Sequence, residues 1–271
     1  MHGGNTEAWN YRPKAGGELV VYGGAGTGKT VWSLLRLLDY GDTYPGARML
    51  IIRKTRVCLT ESALAIWENQ ILGQGHPVLG NPIQRTSRHQ YLWRNTSVLV
   101  TGGMDKSDKV LSTEWDMIYC PECNELNVAE WETLNNRIRA MAGPYDLLFG
   151  NCNPTVPSHW ICRLAKAKQL KLVSTQLQDN PQYYDEDSRE WTELGRRYHT
   201  GWRVRTKSKS VKDDMLRRRF PEPEAIVAVH DPENVVEPTF EADPILVMCG
   251  RMAWSMYIPY LRHTICGCCP K

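Results

Sequence analysis

Eight consecutive residues constrain this chain more than anything else in it. Gly23-Gly24-Ala25-Gly26-Thr27-Gly28-Lys29-Thr30 follows the spacing G-x-x-x-x-G-K-[ST]. Ahead of it, Glu18-Leu-Val-Val-Tyr22 has the pattern of a short buried strand. Behind it, Val31 to Tyr40 carries apolar residues at helical spacing. Strand, glycine turn and helix in that order make a phosphate cradle. The glycines let the backbone curl until successive N–H groups face one anion. Lys29 brings a compact cation, Thr30 a hydroxyl for Mg²⁺, and the helix its N-terminal dipole. Gly23 to Thr30 are therefore the expected nucleotide-binding residues, and Thr30 the expected metal ligand.

The rest of the chain alternates in the same way. Strands are predicted at Met49–Arg53, Tyr91–Arg94, Ser97–Thr101, Asp116–Cys120 and Asp146–Gly150. Helices are predicted at Leu59–Leu72, Val128–Met141 and His159–Lys168, while residues 1–17 are polar and Gly-rich, a lead-in loop. That alternation predicts an α/β P-loop NTPase with a mostly parallel central sheet flanked by helices. Its domain would run over residues 1–200, with a core at 18–180. From 201 to 271 the chain turns basic (Lys207–Arg219), then acidic and Pro-rich (Pro221–Pro244), then Cys-rich. This stretch is expected to be a basic linker and an irregular tail.

Composition excludes little beyond the extremes. The chain has 271 residues, 42% hydrophobic and 23% charged, which excludes disordered, collagen-like and multi-span membrane chains. A net charge of +3 from 33 basic and 30 acidic residues neither demands nor excludes nucleic acid. The 9 cysteines are odd in number and irregularly spaced, and no apolar leader precedes them, so free thiols in a reducing compartment are expected. Cys120-x-x-Cys123 has no second pair at zinc-ribbon spacing, and Ile245–Leu261 is too interrupted for a membrane span.

Hydrolysis needs an acid at the tip of a strand beside the loop. Met117–Cys120 is the best such strand, followed by Pro121 and Glu122. Glu122 is thus the expected general base. Pro121 occupies the place usually held by an Asp, and it has neither a side-chain acceptor nor a backbone N–H.

With these blocks in hand, the sequence resembles the ATPase part of bacteriophage terminase large subunits, the motors that package DNA into procapsids. The resemblance rests on Tyr11-Arg12-Pro13 with the glycine loop, and on Arg53-Lys54-Thr55 with Leu59-Thr-Glu-Ser62. It continues through Glu114-Trp-Asp-Met-Ile-Tyr with Glu122 and Glu125, then Asn136-Arg137-Ile-Arg139. It ends with Asn153-Pro154, Ser158-His159-Trp160 and Gln178-Asp179-Asn180-Pro181. It implies that Gly23–Thr30 bind ATP and Mg²⁺, that Glu122 activates water, and that Asn153 senses the γ-phosphate. It also implies that Tyr11 and Arg12 lie near the adenine. Arg137 and Arg139, placed on the helix after Glu122, become candidates for an arginine finger reaching a neighbouring subunit.

The implied partners are double-stranded DNA bound without regard to sequence, a portal protein, a small terminase subunit and further copies in a ring, with no membrane. The implied setting is the cytoplasm of the infected bacterial host, with transient attachment to the procapsid. Arg196, Arg197, Arg203, Arg205 and the run from Lys207 are candidates for phosphate contacts. The family's nuclease domain has no matching acid cluster here, so residues 201–271 are at most its remnant. Two alternatives stay open: a catalytically weak nucleotide-binding remnant of a terminase, and an unrelated P-loop phosphotransferase.

Overall fold

The computed structural model describes residues 2–13, 16–73, 75–79, 90–106, 112–139 and 141–197. Expectations for Arg203, Arg205 and the tail from 201 lie outside the described residues. The strands are β1 (Gly17–Gly23), β2 (Arg48–Arg53), β3 (Gln90–Leu92), β4 (Val98–Gly103), β5 (Met117–Pro121), β6 (Leu147–Cys152) and β7 (Lys171–Thr175). They form one sheet in the order β3-β4-β2-β5-β6-β1-β7, parallel throughout except for β3 against β4. A small antiparallel pair, β8 (Tyr184–Asp185) and β9 (Glu190–Trp191), follows.

Both faces of the sheet are covered, and alternation along each strand divides the core in two. Leu19, Val21, Met49, Ile51, Met117, Tyr119, Leu147 and Phe149 pack with Trp32, Leu34 and Leu37 of α2 (Lys29–Thr43). Val20, Leu50, Ile52, Ile118, Cys120 and Leu148 pack on the other face with Trp131 and Trp160. Trp131 belongs to α5 (Val128–Asn135), and Trp160 opens α6 (Trp160–Lys166).

Three predicted elements need correction, and one strand was not predicted. Residues 1–17 were expected as loop, yet α1 spans Gly3–Asn10. It has no apolar stripe or capping side chain for a periodicity argument to find; tertiary contacts hold it. Arg36 of α2, fully buried, donates from Nη1 to the Ala8 carbonyl at 2.7 Å and from Nη2 to that of Tyr11. Burial pushes its pKa down to about 10.

The helix expected over 59–72 is broken. It becomes α3 (Val57–Thr60), α4 (Ala63–Ile66) and a π-helical turn at Trp67–Leu72, because Ser62 leaves the helical region (φ −118°, ψ −99°). The helix expected to reach Met141 ends at Asn135. Arg137 and Arg139 then bond to Trp115 through the backbone (2.8 and 3.1 Å), forming a bridge rather than helical turns. Finally, β7 was not expected at all, being short and half polar.

Candidate nucleotide site and its relatives

Parallel strands bring their C-terminal ends to one edge of the sheet, where ligands of open α/β sheets bind. Here that edge carries the glycine loop after β1, Glu122 after β5 and Asn151 near the end of β6. The loop conformation depends on its glycines. Gly28, ahead of α2, has φ +88°, and a Cβ on Gly23 would sit 2.4 Å from the carbonyl oxygen of Thr175 on β7. Lys29 lies across the loop, its Nζ donating to the carbonyls of Gly23 (2.7 Å) and Gly24 (2.6 Å). Thr27 and Thr175 join their hydroxyls at 2.9 Å behind it.

A buried hub connects loop and strand tips. Asn151, 2% exposed, donates from Nδ2 to the Thr30 hydroxyl at 3.2 Å and to the Tyr119 hydroxyl at 2.9 Å. Its Oδ1 accepts from the Glu122 N–H at 3.3 Å. Glu122 itself sits in the left-handed region (φ +51°), an uncommon conformation for a residue with a Cβ and one that recurs at functional sites. Burial raises its pKa, and the charges of Lys29 and Arg53 oppose that rise. Pro121 closes β5 in register with Asn151. Where an Asp would be usual near Thr30, the hydroxyl meets a neutral amide instead.

The Arg-Lys-Thr segment braces this edge. Arg53 grips Glu125 with two bonds, Nε to Oε2 at 2.9 Å and Nη2 to Oε1 at 2.7 Å, and Lys54 pairs with Glu130 at 2.5 Å. In the Ser-His-Trp element, the His159 ring accepts from the Ile161 N–H and so caps α6, while Trp160 Nε1 donates to the Leu126 carbonyl at 2.7 Å. Asp116 lies at the far end of β5. Its buried carboxylate accepts from the backbone of Arg48 (2.8 Å) and Ala142 (2.6 Å), a structural role.

Several expected residues lie elsewhere. Asn153 is exposed beyond the end of β6, and the asparagine turned toward Thr30 and Glu122 is Asn151. The Asn-Pro pair drew attention to position 153. The signal passed over was a polar side chain inside the apolar strand Leu-Leu-Phe-Gly-Asn-Cys. Tyr11 and Arg12 are not beside the loop. Arg12 stacks over Tyr145 at 4.9 Å, just ahead of β6, whose Leu147 is in register with Gly17 at the start of β1. The loop follows the other end of β1, about 20 Å away at strand rise. The reason is that α1 runs down from the loop, leaving Asn5 beside it and Tyr11 at the opposite edge.

Arg137 and Arg139 also lie at that opposite edge, next to Trp115, and Arg139 pairs with Glu114 at 2.9 Å. They do not meet this chain's own loop. Arg196 and Arg197 are exposed. Among the described residues no group of three or more His, Cys, Asp or Glu is placed to hold a metal, and no helix is long and apolar enough to cross a membrane.

Asp179, after β7, gives a prediction that needs no ligand. One oxygen, Oδ2, accepts from the N–H groups of Gly4 (3.1 Å) and Gln176 (3.0 Å), yet burial pushes its pKa up to about 6. A carboxyl raised above its unfolded value of 3.8 destabilises the fold as pH climbs from about 4 to about 6, after which the loss is constant, because the native state must give up a proton it favours. Asp179→Asn keeps one acceptor oxygen without the charge. Its melting temperature at pH 7.5 is expected to rise by about 2–4 °C per kcal/mol recovered. The gain should vanish near pH 4, as a melting series across pH would show.

Comparison with known proteins gives a consistent assignment. Among solved structures, the large terminase of a thermophilic bacteriophage is 12% identical with a TM-score of 0.55, over 81% of this chain and 52% of that one. The same protein in complex with ADP is 15% identical with a TM-score of 0.50, over 80% and 50%. The large terminase ATPase domain of Thermus phage P74-26 is 13% identical with a TM-score of 0.50, over 78% and 91%. At such identities the likeness establishes the fold, and this chain spans about half the length of the first of these proteins. No curated protein matches it. The family model for phage terminase large subunits matches residues 18–209, well over half of the sequence, and the chain belongs to that family.

Proposed function

We propose that this chain is the ATP-hydrolysing part of a DNA-packaging motor, and that it moves double-stranded DNA into a procapsid. The observation that carries this is the continuous contact from Thr30 of the phosphate loop through Asn151 to the backbone of Glu122. Such a chain joins the hydroxyl that would hold Mg²⁺ to the residue that would act as general base. The loop suits ATP, and the large terminase of the thermophilic bacteriophage has been solved with ADP and with ATP-γ-S. Mg²⁺ suits the donors present, because it keeps water and phosphate oxygens and needs few protein ligands. Thr30 would hold it, and its charge would offset that of the phosphates.

The remaining roles fall to the chain's own residues. Lys29 exchanges its loop carbonyls for phosphate oxygens and neutralises them. Glu122, ionised, takes a proton from the attacking water. Asn151 holds Glu122 in register with Thr30. We place it, rather than Asn153, as the residue that senses the nucleotide. Arg137 and Arg139, on the opposite edge, can act only on another subunit's nucleotide, which requires a ring. Arg196 and Arg197 would touch DNA phosphates. Portal and small-subunit contacts and a cytoplasmic setting in the bacterial host follow from the same reading, as does a division into an ATPase domain over 1–200 and a separate tail.

Steady-state hydrolysis with and without linear double-stranded DNA tests the proposal, with Lys29→Ala alongside. Hydrolysis raised by DNA and abolished by Lys29→Ala is expected. Turnover indifferent to DNA would sink the motor assignment. A second reading, a remnant that binds ATP without turnover, is favoured by one observation: Pro121 leaves Thr30 facing a neutral amide. Tight binding with no hydrolysis would select it.

A further inference from the structure

Two segments from opposite ends of the described chain meet behind the phosphate loop, and neither takes part in the chemistry above. Asn5, in α1, donates from Nδ2 to the Thr27 carbonyl at 2.7 Å and to the Asp179 carbonyl at 3.3 Å. Asn180 donates from Nδ2 to the Gly26 carbonyl at 2.6 Å, while its Oδ1 accepts from the Gln182 N–H at 3.0 Å. Both are buried, 3% and 6% exposed. A Cβ on Gly28 would lie 3.3 Å from Asn5 Nδ2 and 3.8 Å from Asn180 Cγ, so the two side chains flank the same turn. The Asp179 carboxylate ties the segments together by accepting from the Gly4 N–H.

The geometry of the peptide unit gives these bonds a consequence. In a planar trans peptide the C=O of one residue and the N–H of the next point in opposite directions. Holding the Gly26 carbonyl outward therefore turns the Thr27 N–H inward, and holding the Thr27 carbonyl outward turns the Gly28 N–H inward. Inward N–H groups are what a phosphate cradle consists of. Among the described residues Asn5 Oδ1 is buried with no hydrogen-bond partner, a desolvation cost that its donor side must offset.

We infer that Asn5 and Asn180 are positioning residues of the nucleotide site, pinning the Gly26 and Thr27 carbonyls outward so that the next N–H groups face the phosphates. The Asp-Asn-Pro element and the first ten residues then belong to the phosphate-binding machinery. This rests on the reading of the glycine loop as an ATP site.

Calorimetric titration of the full chain with ATP, and separately with inorganic tripolyphosphate, both with Mg²⁺, tests it. The variants are Asn5→Ala, Asn180→Ala and the isosteric Asn180→Asp, with Lys29→Ala as reference. Each alanine is expected to raise Kd by about tenfold, the effect of one lost buried hydrogen bond. The loss should be equal for the two ligands, because tripolyphosphate has no base. Asn180→Asp, which sets an acceptor against the Gly26 carbonyl, should lose more than Asn180→Ala, and a melting curve of each variant checks that it is folded under the titration conditions. A loss confined to ATP would overturn the inference in favour of base contacts. So would an Asn180→Asp protein that binds both ligands like the parent. If Lys29→Ala binds both normally, the ATP-site reading itself fails. If only Lys29→Ala is impaired, the positioning role alone falls.

Discussion

Glu122→Gln is expected to bind ATP with nearly parental affinity and to hydrolyse it about 10²–10⁴-fold more slowly, the range for removal of a general base. The amide has the carboxylate's shape, so the left-handed backbone at φ +51° and the N–H bond to Asn151 stay in place. What disappears is the proton acceptor. Single-turnover hydrolysis and a nucleotide titration of the same preparation separate the two effects. The parent's pH profile supplies a second check. Burial raises the Glu122 pKa against the charges of Lys29 and Arg53, and a base works only when ionised. The acid limb of kcat should therefore lie above the ordinary glutamate range. It should also be missing from whatever residual activity the variant keeps. A limb at the ordinary position would mean that another group takes the proton.

Asn151→Ala is expected to cost kcat about 10²-fold or more, with a smaller effect on ATP affinity. A misplaced base is penalised at the transition state, where a displacement of about 1 Å carries a loss of that order. Three bonds leave together: to Thr30, to Tyr119 and from Glu122 N–H. Asn151→Asp is the informative companion. It keeps the acceptor for the Glu122 N–H and replaces the donor to Thr30 with a carboxylate, the group usual near such a hydroxyl. Turnover at the parent's level in that variant would show that the donated bonds to Thr30 and Tyr119 are dispensable. Equal loss in both would assign the role to the donated bonds, to Thr30 and Tyr119, rather than to the Glu122 N–H. Asn153→Ala, on an exposed residue, should change turnover by less than about threefold, as surface positions usually do.

The sheet and the glycine loop were legible in the sequence because each is announced locally. An apolar run followed by glycines and a helical stripe leaves one chain path, and Glu122 stands at the tip of the apolar strand Met117–Pro121. The family blocks added the Arg53 and Lys54 brace, which the structure resolves into bonds to Glu125 and Glu130. What stayed hidden depends on contacts across long sequence distances. Nothing in Gly3–Asn10 marks a helix, since its stability comes from Arg36, Asp179 and Thr27. Asn151 differs from Asn153 in lying inside β6, buried beside Thr30, whereas Asn153 is exposed just past the end of the strand. Tyr11 and Arg12 were misplaced because closeness to β1 in sequence says nothing about which end of it they approach.

The pairing of Asn5 with Thr27 and of Asn180 with Gly26 also bears on how the protein is made. The bond from the Gly4 N–H to Asp179 spans 175 residues. Contacts of such separation form late, after the closure entropy of everything between has been met. A ribosome-bound chain can pair β2 with β4 early, but β1 waits for β6 and β7, and the cradle cannot be finished until residue 180 has emerged. If the cradle holds nucleotide as proposed, it closes late in synthesis, and loosening of α1 or of the segment around Asn180 would open it first.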